Sequence, residues 1–174
     1  GFFSDNYVYD SLERIVRKTY SRDDNAGPNK FQFQLKKSYI IVSEEYRYQR
    51  LSDDVLKRLH FNNYKRAFME ELFTWDKNGY LQEVTTKTVI GNRRSKITFE
   101  YNEQGQAMKK TEWPNLDKAT KIENFYIYDG LGNLVEHNYH KNSAHKLQRK
   151  LLYNGKTMLL ESQLAKDMMT NTIT

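Results

Sequence analysis

An internal period limits this chain more than any other feature of its sequence, because a period of 20 to 50 residues marks stacked supersecondary units rather than one irregular globule. Four segments share an aromatic residue, Asp or Asn, a short turn with Gly, and a strand-like run. They are Trp75-Asp76-Lys77-Asn78-Gly79, Tyr101-Asn102-Glu103-Gln104-Gly105, Tyr128-Asp129-Gly130-Leu131-Gly132 and the shortened Tyr153-Asn154-Gly155. Their aromatic residues lie 26, 27 and 25 positions apart. The repeats cover about residues 67–169, and a degenerate copy, Tyr9-Asp10-Ser11-Leu12-Glu13, lies within residues 7–20.

The motif has the chemistry of a hairpin turn. An Asp or Asn side chain accepts hydrogen bonds from backbone N–H groups two or three residues on. Gly at the fourth turn position tolerates the positive φ of a type I turn running into a bulge. Asp76, Asn102, Asp129 and Asn154 therefore read as turn formers, with Gly79, Gly105 and Gly132 at equivalent positive-φ positions. Asn154-Gly155 is the pair preferred in a two-residue type I′ turn. Glu13 stands where the other copies have Gly, so the first turn is expected to be looser or different in geometry.

Between the turns the residues alternate as strands do. Ile97, Phe99 and Tyr101 fall on one face and Lys96, Thr98 and Glu100 on the other. Ile122, Tyr126 and Tyr128 share a face with Asn124, while Phe125 and Ile127 join Glu123 opposite. Lys, Glu, Gln and Thr on the return strands imply a sheet with one wet face.

Earlier in the chain, residues 23–29 read as a loop and Phe31-Gln32-Phe33-Gln34-Leu35 as strand. Ser52-Asp53-Asp54-Val55-Leu56-Lys57-Arg58-Leu59 reads as a helix capped by Ser52, with acids in its first turn and bases in its last. His60 would then offset the helix dipole and Asn62-Asn63 would end the helix. The expected fold is mainly β: an antiparallel meander of repeated hairpins with one short helix, in a single β-rich domain spanning residues 2–174.

Composition narrows function by exclusion. The absence of cysteine removes disulfide scaffolds, thiolate metal sites and a cysteine nucleophile. No apolar run approaches the ~18 residues of a membrane-spanning helix. Tyr, Phe and Trp make up 24 of 174 residues, so the chain should fold despite being 29% charged, with most aromatics in a core. It opens on Gly1 without an initiator Met. We read this as a processed or recombinant N-terminus whose signal peptide was removed before Phe2, and expect an exported protein, periplasmic or at the cell surface.

The run Tyr128-Asp129-Gly130-Leu131-Gly132-Asn133-Leu134-Val135 resembles the YD repeat of the Rhs family, and the similarity extends from Trp75 to Met169. Family members with long arrays form spiralling β-sheets that enclose a cargo polypeptide, a role for which four or five copies are too few. The chain is more similar to short exported β-meander proteins of gut-type bacteria, whose domains have no assigned activity. The resemblance implies architecture and location more than chemistry.

A search for chemistry finds no catalytic set, metal site or cofactor motif. His137 and His140 are three apart, which in a strand turns them to opposite faces, and Lys141 and Lys146 would repel a cation near His145. Glu44-Glu45, Asp53-Asp54 and Glu70-Glu71 are adjacent pairs, which a strand also separates. The net charge of +6 raises a basic nucleic-acid-binding module as the alternative reading, with a hydrolase of unrecognised site third. The leading expectation is a non-catalytic binding or assembly module that meets a protein, peptide or carbohydrate. Its candidate surface is a rim of connections opposite the Asp/Gly turns, carrying Arg93, Arg94, Trp113, Lys118, Lys121, Lys141 and Lys146, with Asp117 and Glu123 as the nearby acids. Pro114 should stop pairing beside Trp113.

Overall fold

The computed structural model describes residues 2–25, 35–155 and 159–174. Twelve strands follow one another: β1 (Phe2–Tyr9), β2 (Ile15–Asn25), β3 (Leu35–Ser52), β4 (Val55–Phe61), β5 (Ala67–Trp75), β6 (Leu81–Thr88), β7 (Arg94–Tyr101), β8 (Ala107–Trp113), β9 (Ile122–Tyr128), β10 (Leu134–Lys141), β11 (Ala144–Tyr153) and β12 (Leu160–Asp167). They form one antiparallel meander in which each strand neighbours the next in chain order. By its contacts the chain divides into two units, Gly1–Glu71 with Thr88–Asn92, and Leu72–Lys87 with Arg93–Thr174. Residues 26–34 of the loop and strand expected near the start lie outside the described residues, while Asp23, Asp24 and Asn25 end β2 rather than forming a loop.

In the first unit the expected helix is absent. β3 runs to Ser52, Asp53-Asp54 form a two-residue turn, and Ser52 pairs with Val55 at the head of β4. The polar groups that suggested a helix cap close this turn instead. Ser52 Oγ donates to Asp54 Oδ1 at 2.6 Å, and the Arg50 guanidinium donates to the Asp53 carbonyl at 2.7 Å. An isolated helix of two turns is marginal in water, whereas the same residues in β4 pair from Val55 to Phe61 against β3.

The same unit holds two turns of one design. Asp10 Oδ1 accepts the N–H groups of Leu12 (2.9 Å) and Arg14 (3.0 Å), and Asn62 Oδ1 accepts those of Tyr64 (3.0 Å) and Arg66 (3.1 Å). Glu13 and Lys65 take the positive-φ position at 58° and 59°. The turn at Glu13 is thus neither looser nor different, because Arg14 grips the other oxygen of Asp10 at 2.7 and 2.8 Å. Asn62 opens a turn and does not end a helix.

In the second unit the design repeats. Asp76 Oδ1 accepts from Asn78 (2.8 Å) and Tyr80 (2.9 Å), Asn102 Oδ1 from Gln104 (3.1 Å) and Gln106 (2.9 Å), and Asp129 Oδ1 from Leu131 and Asn133 (both 2.9 Å). The donors are thus two and four residues on, rather than two or three. Gly79, Gly105 and Gly132 have φ of 84°, 77° and 86°. The fourth connection departs from the expected type I′ turn: Tyr153 pairs with Leu160, and the Asn154 N–H bonds the Leu159 carbonyl at 2.8 Å, so the link is six residues long.

Adjacent hairpins of this unit are tied at the turn end. Tyr101 Oη donates to the Leu81 carbonyl at 2.8 Å, and Tyr128 Oη donates to the Ala107 carbonyl at 2.9 Å. Leu81 and Ala107 occupy the same place in successive repeats, the first residue of the return strand. Tyr80 stacks on Tyr101 with centroids 5.0 Å apart, and its ring lies where a Cβ on Gly105 would fall.

The expected aromatic core is not found. Among the described residues the buried ones outside glycine are Ser21, His60, Thr111 and Glu123, all polar, and no apolar side chain is buried. Phe3, Tyr7, Tyr9 and Tyr64 are exposed, and the aromatics from Phe68 to Tyr153 are half-buried among cross-strand neighbours, the contact that stabilises a sheet locally.

Two substitution series test the turns. Gly79→Ala should cost about 1–2 kcal/mol from its left-handed backbone, since nothing lies within 4 Å of the added carbon. Gly105→Ala should cost distinctly more, and Tyr80→Ala in the same chain should remove the excess; equal costs in urea denaturation would contradict the packing described. In the second series, Asp129→Ala leaves two N–H groups without their side-chain acceptor and should lower the urea midpoint. Asp129→Asn keeps an acceptor, as Asn102 does, and should lower it by clearly less; equal losses would show that charge, not the side-chain carbonyl, holds the turn.

Candidate functional site

The connections opposite the Asp/Gly turns bring the expected rim residues of the second unit together through main-chain bonds. The Leu116 N–H bonds the Arg94 carbonyl at 2.8 Å, and Arg93 donates to the Pro114 carbonyl at 3.2 Å. Lys121 N–H donates to Asn142 Oδ1 and Asn142 N–H to the Lys121 carbonyl, both at 2.8 Å. β8 ends at Trp113, directly before Pro114. Trp113 is half-buried, pairs with Lys96 across β7, and has the Lys96 ammonium 6.0 Å from its ring centroid.

The charges on this rim are partly neutralised. Arg94 faces Asp117 at 3.7 Å, with both side chains more than half exposed, a geometry worth little in water. Lys121 and Lys109 converge on Glu123 at 2.9 and 3.1 Å, and Lys109 also reaches Glu100 at 3.6 Å. The Lys121 hydrogen bond, reinforced by Lys109, holds the Glu123 carboxyl below its ordinary range. Lys146 contacts Met169 Sδ at 2.9 Å. Lys118 and Lys141 are exposed, and neither forms an ion pair among the described residues.

The three neighbouring histidines divide between the two faces. His140 pairs with His145 across the hairpin, and the rings stack in parallel at 4.5 Å. His137 lies on the other face, stacked on Tyr126 at 5.1 Å and bonded to Asn124 Oδ1 at 2.9 Å. Burial pushes its imidazole below the ordinary range, with Arg149 adding to the effect. All three are half-buried. No group of three or more His, Asp and Glu is arranged to hold a metal ion among the described residues.

Two features were not visible in the sequence. In the first unit His60, far from capping a helix, is buried in β4 with its ring edge-on to Tyr46 and Phe68. Glu71 Oε2 lies 2.6 Å from both His60 Nε2 and the Arg58 guanidinium. Burial raises the Glu71 carboxyl, but the His60 and Arg58 contacts outweigh it and the net shift is downward. In this cluster the Glu71 carboxylate is shared between the Arg58 guanidinium and the His60 ring. Alternation alone could not reveal it, since it needs the β3–β4 register that sets Tyr46 opposite His60.

The second feature is a groove of about 670 Å³ at the turn end, lined by Asn102, Gln104, Gln106 and Met108 and by residues 126–132. It exists because pairing between β8 and β9 stops at Lys109↔Phe125, short of the turns. Met108, Ile127 and Leu131 expose apolar surface there. Three of its polar side chains are engaged: Asp129 Oδ2 accepts from Asn133 at 3.1 Å, Asn102 Nδ2 donates to Gln106 Oε1 at 2.9 Å, and Gln106 Nε2 donates to the Gly132 carbonyl at 3.0 Å.

No family model and no curated protein matches the chain in sequence. Among solved structures, a porin-like protein from Bacteroides uniformis aligns over 86% of this chain and 53% of its own, with a TM-score of 0.51 and 15% identity. The chain therefore spans about half the length of that protein, and at this identity the likeness concerns the β-meander fold alone. The TcdB2-TccC3-Cdc42 structure covers 93% of this chain and 10% of its own at a TM-score of 0.34 and 14% identity. No helix of the described residues is long and apolar enough to cross a membrane.

Glu123 provides a pH test. Its carboxyl is held below about 4.5, the ordinary value, so it contributes stability above that pH and loses it as pH falls through the depressed value. Glu123→Gln should lower the urea midpoint at pH 7 and flatten its decline between pH 5 and 3. A variant whose acid limb stays parallel to that of the parent would show that the lysine pairs contribute nothing.

Proposed function

We propose that the chain is a non-catalytic binding or assembly module of the bacterial periplasm or cell surface, related to YD-repeat proteins and engaging a protein, peptide or carbohydrate. One observation carries the reading: the described residues bury four polar side chains and no apolar one, so the sheet presents its aromatic and aliphatic groups instead of hiding them. The polar groups support it, because the carboxylates of the turns and of the Glu71 and Glu123 clusters already serve backbone N–H groups, guanidinium or ammonium. Any anionic partner would meet the rim at Lys118 and Lys141, with Arg93, Arg94, Lys121, Lys146 and Trp113 alongside.

Protease shaving of bacteria that produce the full-length protein, with fractionation, tests the location. Accumulation in the periplasm or at the surface is expected, and a purely cytoplasmic pool would contradict it. Anisotropy with a labelled single-stranded 20-mer tests the alternative. Micromolar binding that falls steeply with salt and is lost in Lys118→Ala/Lys141→Ala would favour a nucleic-acid module over the one proposed.

A further inference from the structure

Three ladders in the second unit join one hairpin to the next, and each stops at the same place. The last pairs before the turn end are Glu83↔Thr98, Lys109↔Phe125 and Glu136↔Lys150. In each case the strands continue beyond the last pair, so a wedge opens between neighbouring turns. The first two wedges are built alike: a tyrosine hydroxyl spans each, from Tyr101 to Leu81 and from Tyr128 to Ala107.

Their contents differ. In the first wedge the residue four after the turn carboxylate is Tyr80, whose ring stacks on Tyr101 and covers Gly105. In the second the same position is Gln106. Its slender amide reaches the Gly132 carbonyl, leaving the groove beside Tyr128. The chain thus shows what such a wedge accepts: a planar ring carried on a polypeptide, laid against the bridging tyrosine and over the turn glycine.

We propose that the groove between the second and third turns receives an aromatic side chain of a partner polypeptide, seated on Tyr128 beside the Gln106 amide that covers Gly132. Met108, Ile127 and Leu131 flank that seat with apolar surface suited to the neighbouring residues of a peptide. A sugar would need fixed polar groups to orient it, and here Asp129, Asn102 and Gln106 are bound to the turns themselves. The proposal rests on the reading of the chain as a binding module and names the chemistry of its partner. The two fail separately, since nucleic-acid binding at the rim counts against the module and not against the groove.

The test is a titration of the whole chain with acetyl-Ala-Tyr-Ala-amide, followed by NMR at the amides of Tyr128, Leu131 and Gly132. Acetyl-Ala-Ala-Ala-amide and methyl glucoside serve as controls. A saturable one-site shift is expected with the tyrosine peptide and with neither control. Gln106→Tyr should plug the groove and weaken binding at least tenfold. Tyr80→Gln should empty the first wedge and add a second set of shifts at Tyr101 and Gly105. Absence of a saturable shift, equal binding by Gln106→Tyr, or a shift with methyl glucoside would overturn the proposal. Should Gln106→Tyr not fold, the Tyr80→Gln variant decides alone: no new shifts at Tyr101 and Gly105 would overturn it.

Discussion

A single side-chain oxygen that accepts two backbone N–H groups, two and four residues further on, is the interaction on which this structure depends. It occurs at Asp10, Asn62, Asp76, Asn102 and Asp129 with distances between 2.8 and 3.1 Å. The backbone between these donors must turn through positive φ, which Gly provides at three positions and Glu13 and Lys65 provide at two. Once closed, the turn fixes which residues face each other across the hairpin, and with them the alternation of the two faces. The turn needs an oxygen acceptor rather than a charge, since Asn serves beside Asp.

A meander whose described residues bury no apolar side chain must find its stability locally. In the second unit it does so between nearest neighbours, as repeat proteins do. The phenol of one hairpin bonds the return strand of the preceding one, and the residue closing one turn rests on the glycine of the next. The glycine therefore satisfies two demands, a left-handed backbone and room for a neighbour. Face chemistry follows the same register. The face bearing Glu83, Lys96, Lys109 and Glu123 carries their ion pairs and the stacked His140 and His145, and the face bearing Phe99, Tyr101 and Tyr126 carries stacked rings and the Lys110–Glu112 pair.

How much of this could be read in advance depended on whether one residue type carried the physics. Asp76, Asn102 and Asp129, each followed by Gly three residues on, announce a turn because few other combinations fit, and the faces of Lys96–Tyr101 and Ile122–Tyr128 follow from alternation. Phe61-Asn62-Asn63-Tyr64-Lys65 was concealed because lysine stands in the glycine position, so Asn62 read as the stop of a helix. Ser52-Asp53-Asp54 misled for a related reason: short polar side chains satisfy a helix terminus and a tight turn with the same atoms. The rim residues Arg93, Arg94, Lys121 and Lys146 could be grouped by counting connections, but the lysines converging on Glu123 depend on the β8–β9 register. The groove was illegible because it arises from a difference between equivalent positions, Tyr80 and Gln106, which carries meaning only when the wedge between hairpins is known.

Native-state hydrogen exchange at the turn amides tests the account most directly. Asn78, Tyr80, Gln104, Gln106, Leu131 and Asn133 donate their N–H groups to a side chain rather than to a neighbouring strand. The account predicts exchange at these six amides at least tenfold slower than in an unstructured chain, although they lie at hairpin tips. Exchange at the unstructured rate, with the flanking strands still protected, would show that the strands and not the turns hold the register, and would contradict it.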